Sequence, residues 1–175
     1  KIKSLVITSN TGINLGGTIT TSNTNNNNID LNGDVVLTAA TTLDTSANDG
    51  TIDISGTVNS ATTTEKALTL RSNGGTVKIH GLIGGVKDIA ALNINSTADS
   101  TQTGAGAITL TGVGSSTQIG ITGAVNIGNT NTASVTLADG GTYYNLDGDA
   151  VITTTDAADK VVIGDALTIK NAGHK

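Results

Sequence analysis

Short runs in which aliphatic residues sit two apart recur along the whole chain, and their spacing constrains the fold more than any other feature. They are LVI (5–7), INL (13–15), IDL (29–31), VVL (35–37), IDI (52–54), LTL (68–70) and VKI (77–79) in the first part. LNI (92–94), ITL (108–110), IGI (119–121), VNI (125–127), VTL (135–137), VVI (161–163) and LTI (167–169) continue the series. Each places two aliphatics on one face of an extended chain, the period-two pattern of a half-buried strand. Gly, Asn and Asp punctuate between them, as in NLGG, LNGD, ANDG, SNGG, DGG and LDGD, which are turn signals.

The runs recur at a regular distance. IDL centred at 30 returns as IDI at 53 and VKI at 78. Leu43, Leu68/Leu70 and Leu92/Ile94 repeat at about that interval, as do Val36, Val58 and Ile83. Later, Ile127 leads to Val151, Val135/Leu137 to Val161/Ile163, and Tyr144/Leu146 to Leu167/Ile169. Three short strands repeating every 23–26 residues are the mark of a solenoid.

A parallel β-helix explains that period physically. One coil of three strands is unable to bury its inward aliphatics alone, but coils stacked at about 4.8 Å align like residues into continuous ladders. The interior is then a narrow tube, which suits a chain with no Phe, Trp, Met, Cys or Pro and with Tyr143 and Tyr144 as its only aromatics. At this period the chain makes roughly seven coils, a rod on the order of 30–35 Å long. The alternative is a β-sandwich of successive hairpins, since SNGG and ANDG are good hairpin turns. A sandwich gives no reason for the 23–26 spacing. On the solenoid reading Asn73-Gly74-Gly75 is a corner between two faces, with Arg71 and His80 outside. Segments 18–29 and 96–106 break the register and read as polar loops bulging from corners.

Composition narrows the function classes. A net charge of −5, a pI near 4.6 and scattered Lys and Arg disfavour nucleic acid and anionic membranes as partners. No stretch approaches the roughly 20 consecutive apolar residues that span a bilayer. The opening KIKSLVITSN carries no export-signal pattern, and with Lys1 first and NAGHK last the chain reads as a processed piece or short relative of a longer protein. Without Cys there are no disulfides, thiolate metal sites or Cys nucleophiles.

Gly33-Asp34-Val35 to Leu37, Thr42-Leu43-Asp44-Thr45, Gly50 to Val58, Ala67 to Leu70, Gly74 to Gly81 and Leu92 to Ile94 form an ordered pattern. It resembles the repeats of filamentous-haemagglutinin-type and autotransporter-passenger β-strand-repeat adhesins, very large exported surface proteins of bacteria. The match is good over residues 31–95 and loose elsewhere. The resemblance implies a right-handed parallel β-helix, a place at the bacterial cell surface or outside it, and work in adhesion, biofilm matrix or surface fibres. It carries no catalytic residues with it.

Chemistry-bearing residues are few. His80 and His174 lie far apart without Cys or HxxxH spacing, so the usual metal centre is not expected. Alternation from Val77 and Ile79 points Lys78 and His80 outward. Gly112-Val113-Gly114-Ser115-Ser116 lacks the G-x-S-x-G elbow of a serine nucleophile. A polysaccharide-cleaving enzyme on this fold needs paired carboxylates or a basic cluster in a groove; Asp30, Asp44, Asp53 and Glu65 are the residues available, and outward solvation is the plainer reading of them. Asp147-Gly148-Asp149 with Asn145 resembles half a calcium loop, although a turn needs the same residues. Thr62–Thr64, Thr109/Thr111 and Thr153–Thr155 invite an ice-binding reading, but they do not repeat in register. Asn95-Ser96-Thr97 is a formal glycosylation sequon.

The expectation is therefore a single non-enzymatic β-solenoid with no catalytic, cofactor or metal residues assigned. As a structural or adhesive module, it would associate end to end through uncapped edge strands and engage host-cell or matrix glycans. The other reading is a carbohydrate- or ice-binding β-solenoid.

Overall fold

A computed structural model describes residues 1–23, 27–61, 64–96, 102–137, 143–154, 160–163 and 168–171. In chain order the first turn holds β1 (Leu5–Thr8) and β2 (Ile13–Thr20), and the second β3 (Ile29–Asn32) and β4 (Val35–Asp44). The third holds β5 (Ile52–Ile54), β6 (Val58–Ser60) and β7 (Ala67–Arg71). The fourth holds β8 (Val77–Ile83) and β9 (Ala91–Ile94), and the fifth β10 (Ile108–Val113) and β11 (Val125–Ile127). A sixth turn has β12 (Ser134–Leu137), β13 (Tyr143–Leu146) and β14 (Ala150–Ile152), followed by β15 (Lys160–Ile163) and β16 (Thr168–Asn171). β2 and β4 bend from the second face to the third, and β8 and β10 from the first to the second.

Every ladder between these strands is parallel, so the chain is a β-solenoid and the hairpin sandwich is ruled out. The first face stacks β1, β3, β5, β8, β10, β12 and β15 in succession. Five turns have described side chains on all three faces. The core is the stack of inward aliphatics. Ile7, Leu31, Ile54, Ile79, Leu110 and Leu137 form one ladder on the first face, and Ile19, Leu43, Leu70, Ile94, Ile127 and Ile152 form another on the third. Members within the stack are buried, each lying between like residues above and below.

Several registers follow the sequence spacing: IDL–IDI–VKI, Leu68/Leu70 with Leu92/Ile94, and Val135/Leu137 with Val161/Ile163. Others shift. Val35, not Val36, aligns with Val58 and Ile83, because Val35 faces the core while Val36 lies beside Asn59. Ile127 pairs with Ile152 and Asn126 with Val151, one residue from the expected match. Tyr144 pairs with Ile169 and Leu146 with Asn171; Leu167 lies outside the described residues. IGI at 119–121 is no strand: Ile121 is buried and bridges Ile89, while Ile119 is partly exposed.

The two irregular segments differ from the expected loops. Thr18–Thr20 belong to β2, and Thr21 bridges Ile2, so the first loop is shorter than 18–29; residues 24–26 lie outside the described set. Asn27 is buried and donates its amide to the Thr45 carbonyl at 2.8 Å. At the second segment Ser96 and Gln102 are buried, and the excursion between β9 and β10 widens the repeat. Val77 aligns with Ile108 and Leu92 with Val125, well beyond 26 residues on.

Glycine columns account for the G-x-I-x-I-x-G motif. Gly50 and Gly56 flank β5, and Gly75 and Gly81 flank the first-face part of β8. A Cβ on Gly56 would stand 2.5 Å from the Gly33 carbonyl carbon and oxygen, and one on Gly81 would stand 2.5 Å from those of Gly56. Gly75 would likewise strike the Gly50 carbonyl, and Gly106 that of Gly75. At both ends of the first-face strands, consecutive turns touch backbone to backbone.

Candidate functional site

The outward side of the first face brings charged side chains of neighbouring turns together. By strict alternation Val6, Asp30, Asp53, Lys78, Thr109 and Thr136 fall in one outward column. Lys78 and His80 are exposed, as their alternation with Val77 and Ile79 predicts. His80 Nε2 lies 3.2 Å from Asp53 Oδ1, a diagonal contact between neighbouring rungs. Asp30 and Asp53 are adjacent members of the column, and the Asp30 carboxyl is raised above its ordinary pKa, first by burial and then by the Asp53 charge.

That shift fixes the sign of a pH effect. Below the ordinary value of 3.8 Asp30 is protonated in both folded and unfolded chains, and its placement costs nothing. As pH rises through the elevated folded pKa, the folded chain must release a proton it holds more tightly, and stability falls. Asp30→Asn is therefore expected to be more stable than the parent at pH 7 and to lose that advantage near pH 3. Thermal melts across that range, with Asp53, Lys78 and His80 intact, measure it; an equal gain at both pH values would refute the assignment.

The other carboxylates named from the sequence are not gathered here. Asp44 sits on the outward side of the third face, with Oδ2 3.8 Å from Arg71 Nη1; its Oδ1 accepts from Ser46 N and Ser46 Oγ at 3.0 and 2.6 Å. Glu65, at the corner leading into β7, accepts a hydrogen bond from Thr122 Oγ1 two turns away. Asp147-Gly148-Asp149 is a tight backbone passage: Asp147 N donates to the Ile121 carbonyl at 2.9 Å, and a Cβ on Gly148 would collide with Gly123. Among the described residues no group of three His, Cys, Asp or Glu side chains comes together. His174, Thr62, Thr63, Thr97 and Thr155 lie outside the described residues, as do the side chains of Tyr143, Tyr144 and Asn145.

A second outward surface escaped sequence reasoning. On the third face Thr18, Thr42 and Thr69 align on three successive rungs, and Asn93 and Asn126 continue the column. Asn126 Nδ2 donates to Asn93 Oδ1 at 2.9 Å. Threonine does repeat in register over three rungs here, whereas of the threonines the sequence singled out Thr109 aligns with Thr136 alone on the first face. The result is a row of hydroxyl and amide groups at the strand spacing of about 4.8 Å.

The corner between the third and first faces holds a buried polar network. Asn95, with φ of 44°, accepts from Ser72 N at 2.7 Å and Asn73 N at 3.2 Å through Oδ1, and donates through Nδ2 to Ser72 Oγ at 2.8 Å. Asn129 Nδ2 donates to the Asn95 carbonyl at 3.0 Å. The SNGG stretch is thus a corner, as its spacing implies, closed by Gly75 N donating to the Ser72 carbonyl at 2.9 Å.

Among the described residues no helix is long and apolar enough to cross a membrane. Comparison of the chain with protein-family models, with characterised proteins and with solved structures returns no match.

Proposed function

We propose that this chain is a non-catalytic structural module of an exported bacterial surface protein, of the filamentous-haemagglutinin or autotransporter-passenger kind, serving as a stiff rod in adhesion or biofilm matrix. The observation that supports this reading is the unbroken parallel stacking of like residues through successive turns. Core ladder, glycine column and polar corner all recur along one axis, so each turn rests on its neighbours. β1 pairs with β3 on one side. Among the described residues no other strand pairs with β1, and an open strand edge of this kind is a template for pairing with a second copy.

Electron microscopy and concentration-dependent light scattering test the self-associating part. Rods that lengthen with concentration are the expected result, and a monomer at every concentration counts against it. Beads coated with the chain should bind host cells or matrix glycoproteins above a denatured-chain control. Equal binding by the two would sink the adhesive role.

The third-face row favours a second reading, a carbohydrate- or ice-binding surface, since evenly spaced hydroxyls and amides suit a periodic hydroxylated ligand. A glycan array and a thermal-hysteresis assay decide it, with Thr42→Lys as the disabling change. A signal that survives the change would exclude this row as its source.

A further inference from the structure

The corner at Asn73-Gly74 places every group needed for a reaction of the chain with itself. Asp49 Oδ1, from the turn below, accepts two hydrogen bonds: from the Gly74 backbone N–H at 2.9 Å and from Asn73 Nδ2 at 2.8 Å. Thr103 N donates to Asn73 Oδ1 at 3.0 Å. One carboxylate oxygen therefore touches both the nitrogen that would attack the Asn73 side-chain amide and the nitrogen that would leave it. A backbone N–H meanwhile polarises the amide carbonyl between them. Gly74 is exposed, open to water, and has no Cβ to obstruct its own nitrogen. Asn73 holds a left-handed φ of 52°, and ring closure requires rotation about its Cα–C bond to bring Gly74 N onto Cγ.

We propose that Asn73-Gly74 is a self-modification site, converted through a succinimide with Asp49 as the proton shuttle. Gly74 N gives its proton to Asp49 Oδ1 and forms a bond to Asn73 Cγ, and the carbonyl π pair moves onto Oδ1, held by Thr103 N–H. The pair returns and the Cγ–Nδ2 bond breaks. Nδ2 takes the proton back from Asp49 and leaves as ammonia, so Asp49 is unchanged. Water then opens the ring at either carbonyl, leaving aspartate or isoaspartate at position 73. No oxidant or reductant is involved. The product sets a second carboxylate against Asp49, and like charges at that separation repel, loosening the corner.

The same molecule supplies a control. Asn32-Gly33 is the other Asn-Gly pair, and there Gly33 N donates to a hydroxyl, Ser55 Oγ at 3.0 Å, rather than to a carboxylate. Trypsin cleaves after Arg71 and Lys78, releasing Ser72–Lys78 for mass spectrometry. It is lighter by one ammonia as succinimide and one mass unit heavier once opened. Folded chain aged at neutral pH should convert at Asn73 faster than the same chain in urea, and faster than at Asn32. Asp49→Gly, which suits the left-handed φ of 54° at that position, should slow conversion at Asn73 by on the order of a hundredfold, the scale of a positioned acid–base group. Slower conversion in the folded chain than in urea, or an unchanged rate in the Asp49→Gly chain, would overturn the proposal; the comparison with urea needs no variant to fold.

Discussion

Gly56→Ala is expected to cost about 4 kcal/mol or more, among the largest effects of a single substitution, although it adds one methyl group. Its φ is not left-handed; what the position lacks is room. Its Cβ would lie 2.5 Å from Gly33 C and O and 2.6 Å from Asp34 N, backbone atoms held by the ladders on either side. Relief requires the second and third turns to part, and the third and fourth meet at the same column through Gly81. Gly17→Ala makes the contrast. Its φ of 79° is left-handed but nothing lies within 4 Å of the new Cβ, so the cost is the backbone term alone, about 1 kcal/mol. Urea denaturation followed by circular dichroism ranks the two. Similar midpoints would show that turn-to-turn contact at this column is slack. Hydrogen exchange should further place the loss of protection in β3, β5 and β8, because a solenoid transmits strain chiefly to neighbouring turns.

Asn95 is expected to be the second sensitive position, for a different reason. Asn95→Gly keeps the left-handed backbone and deletes the amide, leaving Ser72 N without its acceptor and Ser72 Oγ without its donor in a buried corner. Ser72 Oγ keeps its own bond to the Gly75 carbonyl at 2.6 Å, so the cost is chiefly that of the orphaned Ser72 N–H, about 2 kcal/mol. Asn95→Ala should cost about 1 kcal/mol more, since a Cβ disfavours positive φ. Asn95→Asp keeps an acceptor for Ser72 N but has no donor for Ser72 Oγ and brings a charge into a buried site. Its destabilisation should therefore ease at low pH. Guanidinium melts of the three variants, with exchange of the Ser72 amide as a local reporter, separate these contributions; a neutral Asn95→Gly would mean that water replaces the amide.

The fold is legible wherever the alternation is unambiguous and the turn length constant. IDL, IDI and VKI each offer one way to face inward, and their register is as the spacing predicts. In VVL two adjacent valines compete for the inward place, and the step to Val58 that fits the 23–26 period is the one from Val35, not Val36, as the register has it. Thr18–Thr20 read as loop because they adjoin an asparagine run, yet threonine is a good strand former and pairing with β4 decides the matter. The Thr18–Thr42–Thr69 row is hidden because Thr42 and Thr69 lie further apart than the 23–26 period, the extra residues falling in the corner before β7.

The candidate surfaces are legible to the same degree. Outward placement of Asp53, Lys78 and His80 follows from alternation within single strands. The His80–Asp53 contact and the grip of Asp49 on Asn73 join residues on different turns, so they depend on the stacking of whole coils. The buried corner asparagines are the least legible. Asn reads as a surface residue by type, and nothing local distinguishes Asn95 from the exposed Asn32.

The long excursion between β9 and β10 leaves the start of the next turn in register: Ile108 and Leu110 sit over Val77 and Ile79, and the ladder shifts only beyond Leu110. Variation in length is absorbed at that corner while the ladders on either side keep their order. The added length between Ser96 and Gln102 is therefore compatible with the inward rows and glycine columns that hold the stack together. For protein engineering the sequence between Ser96 and Gln102 is the place to graft a foreign epitope or recognition loop, with the buried polar groups of the corner, Asn95 above all, left intact.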